Sequence, residues 1–244
     1  LVWMCFSLSA QKIIDLSGKW SFSIDRQDNG EKEKWFSHTL NDFINLPGSM
    51  PEKLKGDEVT AKTQWTGSLY DSSYYYNPYM EKYRKEGNIK FPFFLTPDKH
   101  YVGAAWYQKE VNIPADWKGE RILLFLERPH IETTVWVNGQ KTGMQNSLCV
   151  PHQYDITRYV RPGKCTITIR VDNRIKEINV GPDSHSITDQ TQGNWNGIVG
   201  RICLQTTPKT YFDDIQIYPE PEQKLARVKV VIKGAGITKI KLSA

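Results

Sequence analysis

The sequence predicts an all-β fold, a sandwich of short strands. Three observations predict it. Stretches of four to eight residues alternate apolar and polar side chains along the 244 residues. Turn signals such as "ADWKGE", "RPGK" and "VGPDS" separate them. Long helical periodicity is missing between them, and strands at this spacing argue for a sandwich.

Taken in order, "KWSFSID" alternates through Trp20, Phe22 and Ile24. "AAWYQKEVNIP" reads as a strand that stops at Pro114, where a proline offers no N–H to a ladder. "RILLFLE" sends Ile122, Leu124 and Leu126 to one face, because successive strand side chains point to opposite sides. "TTVWVNGQ" sends Thr133, Val135 and Val137 together, and its Asn138-Gly139 pair tolerates the positive φ of a tight hairpin turn. "CTITIRVDN" alternates through Ile167, Ile169 and Val171. Short helical turns are expected at "PEKLKG" and around "DITRYV".

Composition bounds the function. At 39% hydrophobic and 12% aromatic the chain can bury a sizeable core. Mean hydropathy is −0.54. No apolar run reaches the roughly 18 residues a membrane helix needs. The net charge of +5 is spread among acidic residues without a basic block, which argues against nucleic acid. Cys149, Cys165 and Cys203 form no CxxC and read as buried strand residues. His38, His100, His130, His152 and His185 lack ligand spacing, so neither a metal nor another cofactor is expected.

Residues 1–10, "LVWMCFSLSA", read as a signal-peptide remnant with small residues Ser7, Ser9 and Ala10 at its end, or else as an N-terminal strand. The first reading places the protein in the periplasm or outside the cell. Residues 56–101 read as one long aromatic-rich insertion, carrying Trp65, Tyr74, Tyr75, Tyr76, Tyr79 and "FPFF". So long a loop needs a reason, either packing or a binding platform, and packing is preferred. A polar, amide-rich stretch runs from Gly181 to Arg201. A boundary falls near Pro208, and residues 209–244 look like the start of a second domain that is cut off.

At this point the sequence resembles glycoside hydrolase family 2, whose members include β-galactosidases, β-glucuronidases and β-mannosidases. The resemblance is carried by "LSGKWSF", "LPGSM", "AWYQKEVNIP", "GERILLFLERPHIETTVWVNGQKTG", "YDITRYVRPGKCTITIRVDN", "NWNGIVGRICLQTTP" and "YFDDIQIYP", in the family's order. It implies a jelly-roll sugar-binding domain over 11–208 and, over 209–244, the beginning of a truncated immunoglobulin-like domain. It also implies that both catalytic glutamates belong to a following (β/α)₈ barrel.

The residues themselves offer no catalytic pair. Retaining glycosidases need two carboxyl groups roughly 5 Å apart. Asp213 and Asp214 are neighbours on a strand and point apart; Glu31 and Glu33 sit in a solvated, Lys-rich stretch. The resemblance implies a supporting role instead. In the family, the loop before the "G-I" strand reaches the barrel and offers an acidic side chain to sugar hydroxyls. That strand starts here at Gly197-Ile198, and the acidic position falls on Thr191, a departure. Asp189, Gln190 and Gln192 are the candidate substitutes, with Asn194 and with Trp195 as a stacking surface. Against this stands a purely architectural role for Asn194, Trp195 and Asn196.

The sequence therefore reads as the non-catalytic N-terminal part of a secreted family 2 exo-glycosidase of β-galactosidase or β-glucuronidase type. Its partners would be carbohydrate, the missing barrel and other copies of itself in a homo-oligomer. A free-standing carbohydrate-binding module and a structural β-sandwich are the alternatives.

Overall fold

The computed structural model describes residues 12–67, 72–91, 95–176, 184–185, 187–189 and 193–234. The apolar opening 1–10 with Cys5, the last three residues of "FPFF" (Pro92, Phe93 and Phe94), and Gln190, Thr191 and Gln192 lie outside the described residues.

Two antiparallel sheets pack face to face, so the all-β sandwich is as predicted. The first sheet combines β1 (Ile13–Asp15), β4 (Gly48–Ser49), β8 (Arg121–Pro129), β11 (His152–Asp155) and β13 (Gly197–Thr207). Its strands run in the order β1-β13-β8-β11, with β4 pairing the start of β13. The second combines β2 (Gly18–Asp25), β3 (Asp42–Leu46), β7 (Ala104–Ile113), β9 (Glu132–Val137), β10 (Gln140–Asn146) and β12 (Gly163–Asp172), in the order β10-β9-β12-β7-β2-β3. A separate small ladder joins β5 (Asp57–Glu58) to β6 (Lys99–His100).

Most of the predicted inward residues meet in one core, joined there by Tyr107, Ile202 and Leu204. Phe22, Tyr107, Val135, Val137, Ile167, Ile169 and Val171 come from the larger sheet, and Ile122, Leu124, Leu126, Ile202 and Leu204 from the smaller. Each such aliphatic side chain contributes about 1.5–3 kcal/mol by leaving water. Leu124→Ala, at a fully buried position, costs about 2–5 kcal/mol because the packed neighbours cannot collapse into the void.

The larger sheet is also covered outside. Leu40, Trp35 and Phe36 cap Trp106 and Trp136, with Phe36 stacked on Trp136 at 5.1 Å. Trp106 Nε1 donates to Asp25 Oδ2 at 2.9 Å, and the same carboxylate accepts from the Asn29 and Gly30 amides. Only glycine fits at position 30: a Cβ there would lie 2.5 Å from Trp106 Nε1.

The hairpin joining β9 to β10 turns through Asn138 (φ 49°) and Gly139 (φ 77°), both left-handed as the dipeptide predicts. Asn138 also exchanges backbone and side-chain bonds with Thr166, which pins the turn to β12.

Two local expectations are corrected. "PEKLKG" is a chain of turns rather than a helical one, since Leu54 and Gly56 take positive φ and stop any helix. Cys149 is exposed in a loop, whereas Cys165 and Cys203 are buried. "DITRYV" does contain the expected helical turn, a 3-10 turn at Thr157–Tyr159.

The insertion 56–101 closes on itself. β5 and β6 pair at its base, and it carries a short helix, α1 (Ser73–Tyr76), then a 3-10 stretch, Pro78–Tyr83. Tyr74 and Phe91 are buried at its centre, with Val59, Trp65, Met80, Tyr83 and Ile89 around them. Packing therefore accounts for Tyr74, while Tyr76 and Tyr79 stand exposed.

After the sandwich, β14 (Tyr211–Glu220) and β15 (Leu225–Lys233) form a two-stranded ribbon. Its register pairs Ile215 with Val230, Ile217 with Val228 and Pro219 with Ala226. These alternate with Gln216–Lys229 and Tyr218–Arg227, so one face is apolar and the other polar.

Candidate functional site

The candidate loop lies between the end of β12 at Asp172 and the start of β13 at Gly197. Three asparagines hold its stems. Asn196, fully buried, accepts the Tyr107 hydroxyl at 2.7 Å and donates to the carbonyls of Gly103 (2.8 Å) and Val171 (2.9 Å). Asn173, also fully buried, accepts from the Gly103 amide at 2.8 Å and donates to the Tyr101 carbonyl at 2.9 Å. Asn194 donates to the Asn173 carbonyl at 3.1 Å and to Thr66 Oγ1 at 3.0 Å. Amides suit this duty, since each supplies two donors and an acceptor in one plane.

Asp189 is 1% exposed. Its Oδ1 accepts from the Asn194 amide, and its Oδ2 accepts from the Thr66 amide at 2.6 Å. Its own amide donates back to the Thr66 carbonyl at 3.0 Å, which also accepts from Thr188 Oγ1 at 3.0 Å. His100 Nε2 lies 3.4 Å from Asp189 Oδ2. A carboxylate so placed is held by donors on two sides, which suits anchoring more than proton transfer.

Trp195 is half-buried and stacks on His130, with ring centroids 4.5 Å apart. Burial pushes the His130 imidazole down to a pKa of about 4, against the opposing pull of Asn194 and the Asp189 carboxylate.

The β12 stem, which carries Asn173, is ionic as well. The Asp172 carboxylate, fully buried, accepts from Arg170 (3.0 Å), Lys176 (2.8 Å) and Arg174. Glu132 adds pairs to Arg170 at 3.4 Å and Lys176 at 3.0 Å, and Asp28 pairs with both arginines at 2.6 Å. Burial on its own raises the Asp172 pKa. The bonds from Arg174 and Lys176 outweigh it and hold the carboxyl well below the usual range.

Beside the loop opens a cleft of about 510 Å³, whose walls include Arg26, Asp57, Gln64, His100, Tyr101 and Arg174. Among the described residues no three His, Cys, Asp or Glu side chains group as a metal site.

Of the candidate residues, Asp189 and Asn194 are thus brought together and buried. Trp195 sits beside them against His130, while Gln190 and Gln192 lie outside the described residues. Thr66, His100, His130 and Asn173 were not singled out for this place from sequence. Thr66 and Asp189 are 123 residues apart, and no local pattern announces such a contact.

The model for the "Glycosyl hydrolases family 2, sugar binding domain" matches residues 13–208. The chain belongs to glycoside hydrolase family 2. Among curated relatives, human β-glucuronidase is 24% identical over 93% of this chain and 34% of its own length. The Paenibacillus borealis β-glucuronidase is 27% identical over 85% of this chain and 31% of its own. Solved structures align as well. A β-glucuronidase from an uncultured Clostridium species superposes with a TM-score of 0.61 at 21% identity, over 95% of this chain and 35% of that one. The Ruminococcus gnavus β-glucuronidase in complex with D-glucuronic acid gives 0.60 at 18%, over 92% and 35%. The two structures show the shared fold. The chain spans about a third of the length of the curated relatives it matches.

Proposed function

We propose that this family 2 segment serves a β-glucuronidase-type exo-glycosidase, one that hydrolyses terminal β-glycosidic bonds. It acts there as a non-catalytic part that supports, and partly lines, the sugar site. The observation that carries the reading is the matched name: human, Paenibacillus borealis and solved relatives over this stretch are β-glucuronidases.

Within the loop, Gln190, Gln192 and Trp195 are the residues proposed to meet sugar. Amide groups hydrogen-bond vicinal hydroxyls, and an indole stacks on the C–H face of a pyranose. Asp189 and Asn194, buried and bonded inward, hold that loop. The bond-breaking carboxylates belong to a barrel outside this chain. The ribbon β14–β15 reads as part of an immunoglobulin-like sandwich, because its apolar face, with Ile215 and Ile217 more than half exposed, needs a second layer. The apolar opening with Ser7, Ser9 and Ala10 supports export to the periplasm or beyond. Copies are proposed to assemble through the sandwich domains.

The test is a substrate panel. The intact protein carrying this segment is assayed on p-nitrophenyl β-glucuronide, β-galactoside and β-mannoside. Preference for the glucuronide by about a hundredfold or more in kcat/KM supports the reading. Turnover of the galactoside or mannoside instead overturns it.

A further inference from the structure

We propose that Thr66 and Asp189 are positioning residues through which the aromatic insertion 56–101 braces the loop before β13 from outside the sandwich. This rests on the reading that the loop supports a sugar site, and it adds a role for the insertion that the family match does not supply.

The brace can be followed from residue to residue. Tyr74 stacks on Phe91 at 4.6 Å, and Phe91 meets Trp65 edge-on at 5.0 Å. Trp65 also packs on His100 at 4.8 Å, on the strand that closes the insertion's base. The next residue, Thr66, is thereby fixed in space. All its hydrogen-bonding groups then turn to the loop. Its amide reaches Asp189 Oδ2, its carbonyl accepts from Asp189 N and Thr188 Oγ1, and its hydroxyl accepts from Asn194 Nδ2. Asp189 passes the constraint on, since its second oxygen holds the Asn194 amide, three residues before β13.

A connection of 24 residues, 173–196, joins β12 to β13. Such a connection presents side chains reproducibly only when its stems are held by bonds of this kind. The insertion supplies bonds that the two sheets do not. A change in the insertion's aromatic core is therefore transmitted to the sugar end of the sandwich through Thr66, beside the contacts of His100 with Asp189 and of the Tyr101 carbonyl with Asn173.

Hydrogen–deuterium exchange on the full chain tests the brace without any assay of activity. Asp189→Ala is expected to speed exchange about tenfold or more in peptides covering both 60–67 and 193–197, with the β7 peptide 104–113 unchanged. Thr66→Val removes only the hydroxyl. It is expected to give a smaller rise, about threefold, at 193–197. If Asp189→Ala does not fold, Thr66→Val decides alone, and unchanged exchange at 193–197 then overturns the brace. For a folded Asp189→Ala, faster exchange confined to 193–197, with 60–67 still protected, overturns it too.

In the intact enzyme the same two variants are expected to raise KM for p-nitrophenyl β-glucuronide, by about tenfold for Asp189→Ala, with kcat lowered less than about threefold. Unchanged KM contradicts a positioning role. A wild-type enzyme without glucuronide turnover removes the functional reading, and exchange still decides the brace.

Discussion

Asp189 and Thr66 grip each other at both ends: the Thr66 amide donates to the Asp189 carboxylate at 2.6 Å, and the Asp189 amide donates to the Thr66 carbonyl at 3.0 Å. The pairing is parallel in purpose to a strand ladder, but it joins a surface insertion to the loop before β13. Around it the same end of the sandwich is fastened by buried amides on both stems and by a buried ion network at the β12 stem. The consequences can be measured one by one.

Asp172 is the ion network's centre. Its replacement by alanine leaves Arg170, Arg174 and Lys176 facing a site without their shared carboxylate. The loss is expected to be about 3–5 kcal/mol in urea unfolding at pH 7, because partly buried cations lose their partner. A loss below about 1 kcal/mol would mean that water or Glu132 compensates.

His130 gives a pH dependence of defined sign. Its folded pKa, about 4, lies below the 6.5 of an unfolded histidine. Between those values the unfolded chain binds the proton more readily, so stability falls as pH drops from about 6.5 towards 4. The slope approaches about 1.4 kcal/mol per pH unit from this one group. His130→Phe, which preserves a ring against Trp195, is expected to flatten that slope. An imidazole titrating near 6.5 by NMR in the folded chain contradicts the account.

Asn196 ties β12, the Gly103 turn and Tyr107 together at full burial. Asn196→Ala strands a hydroxyl and two carbonyls, at an expected cost of about 2–4 kcal/mol. Thermal unfolding of the variant beside wild type measures it; a shift within error would show that the three groups find other partners.

Ile217 separates two readings of the ribbon. It is 65% exposed in this chain, so Ile217→Lys is expected to change the chain's stability by less than about 0.5 kcal/mol. In the intact enzyme the same change is expected to cost about 2 kcal/mol or more, because a second sheet would bury it. Equal, small effects in both would leave the apolar face without a covering layer.

Much of the scaffold was legible because strand physics is local. The alternations at Ile122–Leu126 and Ile167–Val171 placed side chains in the core where they are found, and Asn138-Gly139 predicted its own turn. The insertion was visible as an excess of aromatics, but which tyrosine packs and which is exposed depends on folding around Phe91 and was not. The loop residues Asp189 and Asn194 were chosen for their chemistry. Their burial was hidden, because it depends on Thr66 and His100, more than 80 residues away in the chain. Trp195 likewise finds His130 only through the fold.

The most direct measurement compares the purified 244-residue chain with the intact enzyme on a chromogenic β-glucuronide. The account predicts turnover by the intact enzyme and none by the chain alone. Reproducible turnover by the chain, abolished by replacing one of its own carboxylates, would contradict it.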